Sequence, residues 1–341
     1  MSSHDLSATA KALVAPGRGI LAADESTGTC HKRFQKLGIP LTIEARQAYR
    51  ELLFTTRNLG KAISGVILFD ETIRQSKRDG TPFTAVLEEQ GIIPGIKLDK
   101  GPVKLPFTNG EKVTEGLDGL AARIDEYVTL GAKFAKWRAV IDIGVAVPSE
   151  RGLRANAQAL ARYAALCQAG GLVPIVEPEL LMDGDHTLER SRHATERALR
   201  VVFEELAVAG VTLEEIVLKP SMVISGSSAA EQASVTEVAS ATLETLLRTV
   251  PAAVPGIAFL SGGQSDELAA AHLNQINLLA AGRAPWAITF SYGRALHQAA
   301  MNAWLGLDAN WAAGQAALAK RARCNSAAAL GQYNAALETA A

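Results

Sequence analysis

The chain has 341 residues, a formal net charge of −1 and 48% hydrophobic residues. Near-neutral charge argues against a nucleic-acid or anionic-membrane partner, and any basic residues that matter must be concentrated locally. The apolar share supplies a large core, and 1–341 reads as a single α/β barrel domain, since such barrels routinely reach this length.

Asp5 is a fair N-cap for a short amphipathic helix over Leu6–Val14, which Pro16 and Gly17 stop. Gly19–Asp24 then reads as a buried strand that ends on an acid. A helical pattern covers Thr42–Leu53. Further apolar runs of strand length follow at Ser64–Phe69, Ile92–Lys97, Phe134–Ile141, Leu172–Glu177, Ile216–Lys219, Gly256–Leu260 and Trp286–Ser291. Helical spacing marks Ala155–Gln168, His193–Val208 and Val235–Leu247. Strands alternating with helices predict βαβ units and a parallel sheet, and eight such units close into a (β/α)8 TIM barrel. A doubly wound sheet competes, but no glycine-rich dinucleotide fingerprint follows the first strand. The alanine-rich stretch Asn310–Ala341 predicts a last helix and a flexible tail over 334–341.

Chemistry in such a barrel sits at the C-terminal ends of the strands. Nearly every run carries, or is followed closely by, a charged or hydroxyl residue: Asp24, Lys97, Lys136, Glu177, Lys219, Ser261 and Arg294. Strand side chains alternate faces, so Lys97 with Asp99, Lys136 with Arg138, and Glu177 with Glu179 form same-face pairs. Taken singly, a strand-end lysine is a solvated rim residue and an aspartate is a helix cap. The coincidence of several acids and cations in one barrel mouth points instead to a functional site.

Ile216, Val217 and Leu218 present Lys219 from an apolar wall, and Pro220 stops the run. A lysine so placed tends toward the neutral amine, the nucleophile of Schiff-base chemistry. Lys136 and Lys97 are the neighbouring cations. Glu177, Glu179 and Asp24 are the candidate proton carriers. Ser261-Gly262-Gly263 and Gly293-Arg294 follow the seventh and eighth strands, where barrels often hold a phosphate. Arg33, Lys97 and Arg138 form a second basic set for another phosphate across the mouth.

The histidines His4, His31, His186, His193, His272 and His297 are scattered, without the paired spacing of a zinc site. Asp183-Gly184-Asp185-His186 lacks the rest of a calcium loop and reads as a turn. No metal or other cofactor is therefore expected. Cys30, Cys167 and Cys324 are far apart and odd in number, which suits a reducing cytosol. The N-terminus lacks signal-peptide regions and no apolar run is long enough to span a bilayer, so a cytoplasmic location is expected.

The chain closely resembles class I fructose-1,6-bisphosphate aldolases. The matching stretches are Gly19–Gly28 (GILAADESTG), Gly65–Phe69 (GVILF), Gly119-Leu120, Phe134–Arg138 (FAKWR), Pro174–Glu179 (PIVEPE), Asp183–His186 (DGDH), Leu218–Pro220 (LKP), Phe259–Ser265 (FLSGGQS) and Phe290–Leu296 (FSYGRAL). They keep the family's order, and so many in register is specific. The resemblance implies Lys219 as the Schiff-base lysine, Glu177 as principal acid/base, and Asp24 orienting the substrate hydroxyl and aiding C–C cleavage. Lys136 and Glu179 would support the lysine and the proton relay. Ser261, Gly262, Gly263, Ser291, Gly293 and Arg294 would bind one phosphate. Ser26, Arg33, Lys97 and Arg138 lie where the family handles the other phosphate or the sugar backbone. It further implies a homotetramer working in glycolysis and gluconeogenesis on a sugar bisphosphate, without a metal.

Two features depart from the family. Its lysine motif usually carries Glu-Gly before Leu-Lys-Pro, where this chain has Glu214-Glu215. Many members also end in a tyrosine on a mobile tail, whereas this sequence ends Glu338-Thr339-Ala340-Ala341, with Tyr333 earlier. Enamine protonation is therefore expected to depend less on the tail. The competing functions are a Schiff-base aldolase or transaldolase for another phosphorylated sugar, and a non-catalytic barrel scaffold.

Overall fold

The strands are β1 (Gly19–Ala23), β2 (Ile63–Leu68), β3 (Ile93–Lys97), β4 (Gly101–Lys104), β5 (Lys112–Glu115), β6 (Phe134–Ile141), β7 (Val173–Leu180), β8 (Val217–Leu218), β9 (Gly256–Phe259) and β10 (Ala287–Tyr292), and the apolar runs account for all of them but β4 and β5. The structure, a computed structural model, describes residues 5–339. His4 and the last two residues of the expected tail lie outside that range. All but β4 and β5 pair in parallel and close in the order β1-β10-β9-β8-β7-β6-β3-β2, the expected barrel.

The helices are α1 (Leu6–Leu13), α2 (Thr27–Lys36), α3 (Ile43–Phe54), α4 (Asp70–Ile73), α5 (Phe83–Glu89), α6 (Leu120–Thr129), α7 (Glu150–Ala169), α8 (Leu188–Val208), α9 (Val235–Thr249), α10 (Asp266–Ala280), α11 (Arg294–Trp304), α12 (Trp311–Ala329) and α13 (Ala336–Thr339). Seven begin on a side-chain cap. Asp5, Ser26, Thr42, Ser149, Thr187, Ser234 and Ser265 each accept the backbone N–H three residues on. Each cap is worth about 1 kcal/mol and fixes where its helix starts.

Strand alternation sorts the side chains. Ile20, Ala22, Ile67, Phe134, Val173, Ile175, Val217 and Ala258 fill the barrel interior, and Leu6, Ala10 and Leu13 of α1 close its floor. Residues of opposite parity pack under the helices. Trp137 faces Tyr163 of α7, with ring centroids 5.4 Å apart. Because parity persists to the strand ends, Lys136, Glu177 and Lys219 stand directly above Phe134, Ile175 and Val217.

Three local features differ from the sequence reading or extend it. The antiparallel pair β4–β5 stands outside the barrel in the crossover from β3 to β6. Its residues mix apolar and polar types and exposed with half-buried positions, so no continuous apolar run announces it. Leu213–Glu215 forms a 3-10 turn with no residue in the left-handed region, so Glu214-Glu215 needs no glycine. Near the C-terminus α13 is docked, with Glu338 paired to Arg321 and accepting the Tyr333 hydroxyl at 3.0 Å.

Phe134 fits the interior only because its neighbours are glycines. A Cβ on Gly95 would meet the Phe134 ring at 2.4 Å, and one on Gly65 would come within 2.7 Å of Leu13 and 3.0 Å of the ring. Gly95→Ala should therefore destabilise the fold by about 1–3 kcal/mol through overpacking. Adding Phe134→Leu to the same chain should recover part of the lost melting temperature. Absence of recovery would place the strain elsewhere.

Candidate active site

The strand ends converge on a cavity of about 390 Å³ at the C-terminal face of the barrel. Asp24 comes from the end of β1, Lys97 from β3, Lys136 and Arg138 from β6, Glu177 and Glu179 from β7, and Lys219 from just beyond β8. All line it, with Ser26 and Arg33 of the first βα unit and Ser261, Gly262, Ser291, Gly293 and Arg294 from the last two. Gly263 stands just behind, its Cα facing the Arg294 guanidinium. A larger cavity of about 620 Å³ opens between the segment after β6 and the start of α8. The smaller one holds the convergent buried charges, and chemistry follows those rather than volume.

Lys136 is the centre of these charges. Its ammonium lies 2.7 Å from Asp24 Oδ2, 3.3 Å from Glu177 Oε2 and 3.9 Å from Asp99 Oδ2. Burial acts to discharge it, but Asp24, Glu177 and Asp99 outweigh burial and hold it well above the ordinary lysine range. Burial alone would raise the Asp24 pKa. Lys136 and Lys219 reverse that and keep the carboxyl ionised far into acid. Glu177 shows the same contest, burial against Lys136, Lys219 and Arg138, with a net lowering.

Lys219 is buried, 3% exposed, with its Nζ 3.2 Å from Glu177 Oε1. The apolar wall expected around it therefore holds only at its base, since the tip faces a carboxylate. Glu177 spans the two lysines, one oxygen to each. Glu179 goes elsewhere. Its carboxylate accepts from Arg138 Nε, so it holds the arginine and no contact places it on Lys219. Lys97 pairs with Asp99 at 3.3 Å, as its parity predicts.

The two ends of the cavity differ. Near α2, Arg33 is tied to Glu25 at 2.6 Å. Glu25 also meets Arg50 at 2.8 Å and His297 at 3.2 Å. Burial pushes His297 down to about 4, leaving it neutral at physiological pH. Burial would raise the Glu25 carboxyl, but Arg50 first, with the adjoining His297 and then Arg33, brings it down to about 2. At the opposite end Arg294 is exposed and has no carboxylate partner among the described residues. Gly262 and Gly263 have φ of 58° and 90°, and Gly293 precedes α11 without a side-chain cap. That leaves backbone N–H groups free for an anion.

Sequence reasoning missed Glu25, Thr29, Arg50 and His297. Glu25 could have been found as a second acid beside Asp24. His297 lies one turn after Arg294 on α11. Nothing local marks Arg50, which reads as an ordinary helix residue. Among the described residues no group of three His, Cys, Asp or Glu side chains is placed to hold a metal ion. Where three carboxylates do converge, the Lys136 ammonium occupies the centre.

The Lys136 cluster sets a pH test. The stabilisation from depressed Asp24 and Glu177 is present above their unfolded pKa values, near 4, and is lost as pH falls through the folded values. Lys136→Met strands these buried carboxylates and should cost about 3–5 kcal/mol at neutral pH. The gap between variant and parent, measured by chemical denaturation, should close progressively in acid. A gap independent of pH would show that packing, not charge, is lost.

Similarity to characterised proteins agrees with this geometry. The family described as fructose-bisphosphate aldolase class-I matches residues 5–341. A probable fructose-bisphosphate aldolase class 1 of Xanthomonas campestris is 57% identical over 98% of this chain and 99% of its own length. The fructose-bisphosphate aldolase of Dictyostelium discoideum is 51% identical over 97% of this chain and 93% of its own. A solved fructose-bisphosphate aldolase from Plasmodium falciparum, in complex with TRAP and a small-molecule inhibitor, superposes with a TM-score of 0.94. It is 50% identical and covers 96% of this chain and 95% of its own. A closed eight-stranded barrel, its charged strand ends and a full-length family match place the chain in the class-I fructose-bisphosphate aldolase family.

Proposed function

We propose that the chain reversibly cleaves fructose 1,6-bisphosphate to dihydroxyacetone phosphate and glyceraldehyde 3-phosphate through an imine on Lys219. One observation carries the reading: buried Lys219 Nζ stands 3.2 Å from Glu177, a carboxylate held ionised. Glu177 relays two protons from the lysine nitrogen to the ketone oxygen, one as the attacking amine forms the carbinolamine and its oxygen becomes a hydroxyl, the second as that hydroxyl departs as water and the imine forms. The protonated imine is the electron sink. Asp24 takes the proton from the C4 hydroxyl, the C3–C4 bond breaks and the aldehyde leaves. Protonation of the remaining enamine and hydrolysis of the imine free the second product and Lys219. Lys136 keeps Asp24 and Glu177 as bases at the start of the cycle. The scheme calls on no metal or other cofactor.

Ser261, Gly262, Gly263, Ser291, Gly293 and Arg294 hold one phosphate, for which the free N–H groups and the unpaired guanidinium are suited. Ser26, Arg33, Lys97 and Arg138 take the other, with Glu179 orienting Arg138. A bisphosphate fits two basic ends better than a monophosphate does. A homotetramer acting in glycolysis and gluconeogenesis in the cytosol follows from the family resemblance. An Arabidopsis thaliana relative described as cytosolic, 50% identical, supports that location.

Borohydride reduction with dihydroxyacetone phosphate should leave one adduct, mapped by peptide mass to Lys219 and missing in Lys219→Ala. Cleavage without any adduct, abolished by a chelator, would overturn the imine scheme. Truncation after Tyr333 should keep turnover within an order of magnitude of the parent. A larger loss would assign proton exchange to the tail after all.

A further inference from the structure

One buried polar pair has no part in the scheme above. Gln264 follows the Ser261–Gly263 loop, His272 lies on α10, and they are 9% and 3% exposed. The Gln264 side-chain Nε2 donates to the Ser261 carbonyl at 3.0 Å and lies 3.8 Å from Met222 Sδ. The Gln264 backbone N–H donates to the same carbonyl at 3.0 Å. With the amide nitrogen committed to acceptors, its Oε1 must accept, and the partner is His272 Nδ1 at 2.5 Å. His272 therefore carries its proton on Nδ1. Its Nε2, which carries a lone pair and no proton in that tautomer, is buried with no hydrogen-bond partner among the described residues. Burial pushes the imidazole down to about 4, so the ring is neutral at physiological pH.

The chain of contacts runs from α10 through His272 and Gln264 to the carbonyl that starts the left-handed turn at Gly262 and Gly263. It also touches Met222, three residues after Lys219. We propose that His272 and Gln264 are positioning residues: they lock the turn whose backbone N–H groups receive a substrate phosphate. This rests on the reading that Ser261–Gly263 and Arg294 hold that phosphate. A preset turn saves the ordering that binding would otherwise require, so its loss appears in affinity and not in the chemical step.

The test compares His272→Leu, His272→Asn and Arg294→Ala with the parent full-length enzyme. His272→Leu should raise both KM for fructose 1,6-bisphosphate and the inhibition constant of inorganic phosphate about fivefold to tenfold, the scale of one net hydrogen bond. Its kcat should change less than twofold. His272→Asn, whose amide N–H replaces Nδ1–H, should restore both constants. If His272→Leu does not fold, the double variant Gln264→Leu/His272→Leu is read instead, since removing both partners strands no side-chain polar atom of the pair. Parent-like constants in the leucine variant, with phosphate inhibition weakened by Arg294→Ala, would overturn the positioning role alone. Phosphate inhibition unaffected by Arg294→Ala would overturn the phosphate reading and this inference with it.

Discussion

The site depends on one buried ammonium group. Lys136 stands among Asp24, Glu177 and Asp99, and each of these ions costs several kcal/mol to bring out of water. Only mutual pairing offsets that cost. Lys97, against Asp99, and Lys219, against Glu177, complete the set, so three lysines face three acidic side chains. Such a cluster is coherent only as a unit. It keeps Asp24 and Glu177 ionised in a place where burial alone would protonate them. That is the state from which both can accept protons.

The barrel makes this cluster possible by fixing strand register. Lys97 is aligned with Lys136 across β3 and β6, and Arg138 with Glu177 across β6 and β7. Below them the same strand faces are apolar, with Phe134, Ile175 and Val217 forming a dry floor closed by α1. The floor fixes the lysine stems from beneath and keeps water from entering through the bottom of the barrel. A one-residue slip of β6 would turn Lys136 toward the helices and bring Trp137 into the mouth. Packing and chemistry therefore share one constraint, the parity of the strands.

Charge is distributed unevenly over the cavity. Arg33, Lys97 and Arg138 are already paired to Glu25, Asp99 and Glu179. A phosphate arriving there shares each cation with a carboxylate. Among the described residues Arg294 and the glycine turn at the other end have no carboxylate partner, so an anion meets no such competition there. On the proposed reading the two ends of a bisphosphate meet different physics, one an exposed cation with backbone dipoles and one a preorganised ion-pair network.

Much of this was legible in the sequence. Continuous apolar runs of strand length, separated by helical spacing, specify a parallel barrel because both faces of such strands are buried. The ends of those runs named Asp24, Lys97, Lys136, Glu177, Lys219 and Arg294, since barrel chemistry gathers there. The β4–β5 pair escaped because its mixed apolar and polar residues form no continuous apolar run. The pairings escaped as well. That Glu177 serves two lysines while Glu179 is drawn to Arg138, and that Glu25, Arg50 and His297 meet behind Asp24, depend on how the sheet closes and staggers. The sequence by itself determined which strand faces are apolar and which residues end them, because alternation is a local property. Only the tertiary structure decided which acid meets which base, because barrel closure brings together residues hundreds of positions apart and their pairing energy exists only once water has been excluded.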